Sequence, residues 1–303
     1  MAELLQPDPE GIARAAALLT DGGLVAFPTE TVYGLGADAC NGEAVAKVFE
    51  VKGRPTFNPL IVHVADRAAV EALAVIPPEA EPLLAGGWPA GLTLVLQTRP
   101  DTGLSPLVTA GLPTVAVRVP ASPVARALLA AFDGPVAAPS ANPSGRLSPT
   151  LAAHVSQGLG DRIAGIIDGG PTEAGLESTI LGFPGPVVLR EGAFAVPDEW
   201  PRGGDGDAPT APGQLLSHYA PKGRVRLEAV SALPGEWHLG FGDVAGDVSL
   251  SASGDLVEAA ANLFALMHQA DATGVTALAV APIPDTGLGR AINDRLRRAA
   301  APR

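Results

Sequence analysis

The 303-residue chain has a single cysteine, Cys40, which excludes an internal disulfide and any cysteine-rich metal site. Lysine is nearly absent, at Lys47, Lys52 and Lys222 alone, and 20 basic residues stand against 32 acidic ones for a net charge of −12. Bulk binding of nucleic acid needs a basic surface, which this composition does not supply. Aromatic residues make up 4% of the chain. No apolar run reaches the roughly 18 residues of a membrane span. Met1 to Gly11 contains Glu3, Asp8 and Glu10 and no basic residue, so it does not read as a secretory signal, and a cytoplasmic protein is expected. The familiar nucleotide motifs are also missing. There is no P-loop, Gly34-Leu35-Gly36 lacks the third glycine of a dinucleotide fingerprint, and neither G-x-S-x-G nor H-E-x-x-H occurs.

What is present is concentrated. The chain is 47% hydrophobic and 17% charged, yet two short stretches crowd hydroxyls, cations, an amide and an imidazole together. They are Phe27 to Gly36 and Lys52 to His63. A core has no use for such groups, whereas a small polar ligand would use them all. The negative charge is uneven: residues 1–208 hold 12 basic against 23 acidic residues, and 209–303 hold 8 against 9.

Apolar periodicity predicts helices over 11–20, 41–51, 122–132 and 149–159, with Ser122 as N-cap and Pro123 in the first turn. Short β-rich runs predict strands at 24–27, 60–64, 92–96, 115–119, 136–138, 163–167 and 187–190. Irregular alternation of strands and helices argues for an α/β sheet with some antiparallel pairs. Residues 197–221 change to Gly, Pro and Asp, a linker composition. Beyond them, strands at 225–227, 237–241 and 277–281 and helices at 256–272 and 287–300 form a second, smaller α/β unit. The expected division is a catalytic domain over 1–200, a linker over 201–221 and a small domain over 222–303.

Lys52-Gly53-Arg54 closes a predicted helix. A turn at Gly53 would let both cations converge on one polyanion, with Arg54 presenting a planar fork; ordinary capping of the helix dipole explains the pair equally well. Ser140-Ala141-Asn142 follows a strand, where open α/β sheets bind ligands, or where Ser and Asn simply stabilise a turn. His63 lies in an apolar strand and reads as a core histidine unless a ligand claims it. Arg118 also lies in an apolar strand, and a buried arginine needs an anionic partner from the protein or from a substrate. Glu177-Ser178-Thr179 and Arg190 repeat the pattern of polar groups at strand edges. His218-Tyr219 sits oddly in a linker and suggests that the linker docks.

In this order and spacing the motifs closely resemble the threonylcarbamoyl-AMP synthases, the YrdC-like family, in the two-domain form with a C-terminal extension. The resemblance rests on Phe27–Gly36, Lys52–Arg54, Asn58–His63, Thr109–Pro120, Ala137–Asn142, Asp168–Gly170, Glu177–Ile180 and His218–Pro221. It implies a twisted mixed α/β sheet plus a Rossmann-like extension. It implies an enzyme that makes threonylcarbamoyl adenylate from L-threonine, bicarbonate or carbon dioxide, and ATP with magnesium, releasing pyrophosphate. A partner transferase system would then modify tRNAs that read codons starting with A. Carried over by position, Lys52, Arg54, Asn58, Thr114, Ser140, Asn142, Ser148, Arg190 and His218 would contact ATP. Thr31, His63, Arg118, Ser178 and the backbone of Ala138 would form the threonine pocket. Lys52 and Arg54 would face the phosphates as the catalytic pair. The resemblance implies no metal ligand from the protein and assigns no role to Glu30 or Tyr33. A nucleotide- or double-stranded-RNA-binding module on the same fold, and a carbamoyl-phosphate-using enzyme, are the competing readings.

Overall fold

The computed structural model describes residues 1–203 and 218–302, so most of the expected linker, residues 204–217, lies outside the described residues. The strands of a large mixed sheet are β1 (Glu3–Leu5), β2 (Val25–Pro28), β3 (Tyr33–Asp38), β4 (Ile61–His63), β5 (Ala74–Val75), β6 (Leu92–Thr98), β7 (Thr114–Arg118), β8 (Val136–Ala137), β9 (Gly165–Ile167), β10 (Thr179–Gly182) and β11 (Val187–Arg190). Their spatial order is β1-β9-β2-β3-β8-β4-β7-β6-β10-β11, with β5 added beside β6. Parallel pairs such as β4–β7 and β6–β10 alternate with antiparallel ones such as β3–β8 and β6–β7. Helices α1 (Pro9–Thr20), α2 (Gly42–Lys52), α3 (Arg67–Leu73), α4 (Glu81–Gly87), α5 (Pro106–Thr109), α6 (Pro123–Phe132) and α7 (Ala152–Leu159) connect these strands. A second sheet holds β12 (Arg224–Arg226), β13 (Trp237–Gly240), β14 (Val248–Ser249) and β15 (Ala277–Val280), all parallel, in the order β12-β15-β13-β14. It is served by α8 (Leu256–Thr273) and α9 (Leu288–Ala300).

Local chemistry accounts for the element ends. Asp8, Asn41, Asp66, Ser122 and Asp255 each accept a backbone N–H in the first turn of the helix that follows, satisfying donors a helix cannot satisfy itself. Gly53 ends α2 in the left-handed region at φ 61°, with its own N–H on Glu50 O and that of Arg54 on Phe49 O. This closure is open to glycine at little cost and swings Arg54 back beside Lys52. The helix expected from residue 149 begins only at Ala152. The Pro149 carbonyl is taken by the N–H of Tyr33 and that of Thr150 by Thr172, so neither can enter a helical ladder. Strand β3 was not predicted, because it is buried on both faces and shows no period-2 alternation.

The two units share one core. Val32, Leu147 and Leu176 from the large unit pack in the same apolar cluster as Leu239, Leu263, Phe264, Leu278 and Ile292 of the small one. His268 of α8 meets the carbonyl of Ser148 at 3.1 Å through Nε2, and its ring stacks on His154 of α7 at 3.8 Å between centroids. At Gly175 the backbones of the two units come close. It has φ +67°, and a Cβ there would stand 2.5 Å from the carbonyl oxygens of Ala260 and Ala261 in α8. Gly175→Ala is therefore expected to push α8 away and destabilise the protein by about 1–3 kcal/mol, as overpacking does. Thermal unfolding of the variant beside the parent checks this.

Candidate active site

Strand ends at the middle of the large sheet bring the polar residues together. His63 and Arg118 are register partners at the ends of β4 and β7. The loop between β2 and β3 is tied by Thr29, whose Oγ1 accepts the N–H of Thr31 at 3.1 Å and of Val32 at 3.2 Å and lies 2.7 Å from Thr31 Oγ1. Past β8, Ala138 donates its N–H to Ile61 O, and the Pro139 carbonyl accepts from Leu35. One cleft results, lined by Thr29, Thr31, Arg54, His63, Arg118, Ala138, Ser140, Glu177, Ser178, Arg190, His218 and Tyr219 among others.

All five residues expected for the threonine pocket, Thr31, His63, Arg118, Ala138 and Ser178, line this cleft. Of those expected to contact ATP, Arg54, Ser140, Arg190 and His218 line it too. Four more stand just behind the lining. Lys52 donates through Nζ to the carbonyls of Ser140, at 2.6 Å, and of Asn142. Ser148 donates to Glu177 Oε1. Asn142 gives its amide to the carbonyls of Pro143 and Arg146, and Asn58 is 1% exposed. Thr114 begins β7, three residues before Val117, whose partner on β4 is Val62. It is half-buried and lies outside the cleft wall.

The electrostatics are lopsided. Lys52, Arg54, Arg118, Arg190 and Arg295 are all buried. Glu30 and Glu177 are the buried or nearly buried carboxylates that reach them, and Asp294 touches Arg295 from a half-buried position. Burial, together with Arg54, pushes the Lys52 amine well below the usual lysine range, and burial takes Arg54 down to about 10. Burial and Arg118 lower His63 to about 3. His218 is driven well below its ordinary value by burial and then by Arg54, Lys52, Arg190 and Arg295, so its ring is neutral. Burial works against ionisation of Glu30 and Glu177, but Arg118 holds the first below the ordinary carboxylate value, and Arg295 with Arg190 holds the second there.

Unpaired buried polar atoms point to the same place. Among the described residues eight buried side-chain polar atoms lack a hydrogen-bond partner, and five of them are Asn58 Nδ2 and Oδ1, His63 Nδ1, Asn142 Oδ1 and His218 Nδ1. Buried polar atoms are almost always satisfied, so a cluster of exceptions on these residues marks where a ligand completes the network.

The residues without a predicted role turn out to hold the others. Glu30 accepts from Arg118 Nη2 at 2.6 Å, while its second oxygen caps the N–H groups of Ala121 and Ser122. Tyr33 donates its hydroxyl to Gly170 O at 2.7 Å, and burial raises its pKa to about 12. Arg190 grips Ser178, with Nε and Nη2 on its carbonyl at 3.0 and 2.8 Å. Sequence reading assigned Ser178 to the threonine pocket, gave no role to Glu177 or Thr179, and passed over Arg295. The signal for Arg295 was an arginine inside an apolar helix stripe.

A mixed α/β sheet that gathers buried cations and unsatisfied polar atoms around one cleft defines a protein that binds small anionic ligands at its strand ends. A family model described as Sua5–YciO–YrdC, telomere recombination, matches residues 17–192, and one described as the threonylcarbamoyl-AMP synthase C-terminal domain matches 186–301. The chain belongs to the Sua5–YciO–YrdC family. It is 43% identical to the threonylcarbamoyl-AMP synthase of Bacillus subtilis over 99% of this chain and 96% of that protein. The Pyrococcus abyssi threonylcarbamoyl-AMP synthase is 40% identical over 94% of this chain and 93% of its own length. The crystal structure of P. abyssi Sua5 complexed with L-threonine superposes with a TM-score of 0.91 at 37% identity, covering 99% of this chain and 97% of that one.

The Glu30–Arg118 pair makes a pH prediction. Because the folded-state pKa of Glu30 is lowered, the pair contributes stability above the unfolded carboxyl value of about 4.3 and loses it as pH falls through the lower folded value. Glu30→Gln leaves Arg118 buried without its counter-charge. It is expected to cost about 3 kcal/mol at neutral pH and to flatten the acid limb of the stability curve. Denaturant unfolding followed from pH 7 downward measures both.

Proposed function

We propose that the chain is a threonylcarbamoyl-AMP synthase that uses L-threonine, bicarbonate or carbon dioxide, and ATP. The observation that carries this reading is the excess of buried cations over carboxylates around one cleft among the described residues, with the unsatisfied atoms of His63 and His218 on its lining and those of Asn58 and Asn142 behind it. A polyanion and an amino acid together supply what is missing. The near-complete likeness to a relative solved with L-threonine supports the amino-acid half.

Arg118 is placed to take the threonine carboxylate. Its Nε and Nη2 are held by Ala90 O and Glu30, while Nη1 makes no hydrogen bond among the described residues. Thr31, neutral His63, Ser178 and the backbone of Ala138 surround the rest of the amino acid. Arg54, Arg190, Ser140 and His218 take the nucleotide from the cleft wall. Lys52, Asn58, Asn142, Ser148 and Thr114 support that half from behind or from the strand end. The amine attacks carbon dioxide and loses a proton to give a carbamate. A carbamate oxygen then bonds to the α-phosphorus, and pyrophosphate leaves with the electrons of the broken P–O bond. This chemistry asks for alignment and charge neutralisation rather than a protein nucleophile.

Magnesium fits as a passenger of ATP. Hydroxyls of Thr29, Thr31 and Ser140 line the cleft, and the described residues hold no cluster of three His, Cys, Asp or Glu side chains. Phosphate oxygens and water would make up its shell, and it would neutralise charge on the departing pyrophosphate. Buried His218 and Tyr219 close the cleft, which protects a carbamate from water. The described residues contain no helix long and apolar enough to cross a membrane, which suits a cytoplasmic enzyme passing its adenylate to a tRNA-modifying transferase.

Pyrophosphate release from ATP should require both threonine and bicarbonate. Release that continues without threonine would sink the assignment. Arg54→Lys keeps the charge but loses the fork that also holds the carbonyls of Asn58 and Pro59. It should cut kcat/KM for ATP by about tenfold or more, since a bidentate arginine site is not served by an ammonium. Steady-state pyrophosphate assays at varied ATP decide it.

A further inference from the structure

Arg295 of the small C-terminal unit touches two residues that line the cleft, Glu177 and Tyr219. Helix α9 buries Ala291, Ile292, Arg295, Leu296 and Ala299 along one stripe, so Arg295 occupies a position where helical periodicity calls for an aliphatic residue. It is 1% exposed. Its Nε donates to Glu177 Oε2 at 3.0 Å and its Nη1 to the Glu191 carbonyl at 2.6 Å and to Asp294 Oδ2 at 3.0 Å. Its guanidinium carbon lies 5.2 Å from the centre of the Tyr219 ring. Its Nη2 has no hydrogen-bond partner among the described residues.

Glu177 is the residue this contact controls. It lines the cleft, accepts from Ser148, and directly precedes Ser178, which Arg190 grips. A bare carboxylate at this point would act twice against a polyphosphate. It would repel the phosphates directly, and it would offset the charge of Arg190, the other cation whose field reaches it. Stability alone gives a weak reason for such a contact, because a buried ion pair adds little over well-packed apolar groups of the same volume.

We infer that Arg295 is a positioning residue for ATP: by neutralising Glu177 from across the unit interface, it removes a bare carboxylate from the cleft wall and makes the small unit an electrostatic part of the active site. The inference rests on the proposed ATP site. Nucleotide binding and docking of the small unit are then coupled, and each strengthens the other.

The test uses the full chain and three variants, Arg295→Met, Glu177→Gln and the double variant. KM for ATP, KM for threonine and kcat are read from pyrophosphate release, and the melting temperature is read for each. Arg295→Met should raise the ATP KM by about tenfold to a hundredfold, the usual range of coupling between linked sites. Its threonine KM should move by less than about threefold. The double variant should recover most of the ATP affinity, because the carboxylate that needed neutralising is gone. A folded Arg295→Met protein with an unchanged ATP KM overturns the inference. So does a folded double variant that binds ATP no better than Arg295→Met. If Arg295→Met does not fold, the double variant still decides, since it buries no unpaired charge. An ATP KM within about tenfold of the parent then supports the inference, and a larger loss overturns it. A parent protein with no threonine-dependent pyrophosphate release instead defeats the proposed function, an outcome distinct from variants that behave alike in an active parent.

Discussion

Among the described residues, five buried cations meet two buried or nearly buried carboxylates, and the rest of the molecule is arranged around that constraint. A charge removed from water needs a partner. For two of these cations the partners supplied by the fold are backbone carbonyls: Ser140 and Asn142 for Lys52, Asn58 and Pro59 for Arg54. A carbonyl dipole orients a cation but compensates it less than an anion does. Lys52 and Arg54 are therefore held in place with little of their charge compensated among the described residues. That state costs stability in the free protein and strengthens binding of an anion, which finds its donors already positioned.

The fold supplies this arrangement through strand ends rather than through a glycine-rich loop. Parallel β4 and β7 deliver His63 and Arg118 side by side, and short antiparallel β8 lies against both β4 and β3 before releasing Ser140 and Asn142. A mixed order of strands is what lets donors from widely separated segments meet. An all-parallel nucleotide fold would place its phosphate site at one helix N-terminus, and the absence of P-loop and dinucleotide motifs agrees with the alternative used here.

Some of this was legible in the sequence and some was not, for physical reasons. Gly53 after Lys52 announced a left-handed turn, because no other residue adopts it so cheaply, and the turn is there at φ 61°. Arg118 announced an anion, because an arginine among Val115, Val117 and Val119 cannot stay unpaired. The sequence could not say that Glu30, 88 residues away, would share it, since pairing at that separation is a property of the sheet order. Strands β3 and β10 escaped notice because burial on both faces erases alternation. Arg295 carried a signal of the same kind as Arg118, a charge inside an apolar stripe, but its partner lies 118 residues upstream in the other unit.

The interface between the units is therefore better viewed as part of the site than as a hinge between two domains. Val32, one residue after Thr31, and Leu176, one before Glu177, lie in the core cluster of the small unit. Tyr219 belongs to that cluster and also lines the cleft. Any motion that separated the units would expose apolar surface, uncover Glu177 and loosen both flanks of the cleft together. The same contacts that stabilise docking thus set the potential at the cleft wall around Glu177. By linkage, a ligand that consumes the cation surplus must also tighten the docked state, because whatever binds one arrangement better stabilises that arrangement. A cleft wall without the Glu177 carboxylate would gain nothing electrostatic from an arginine at position 295.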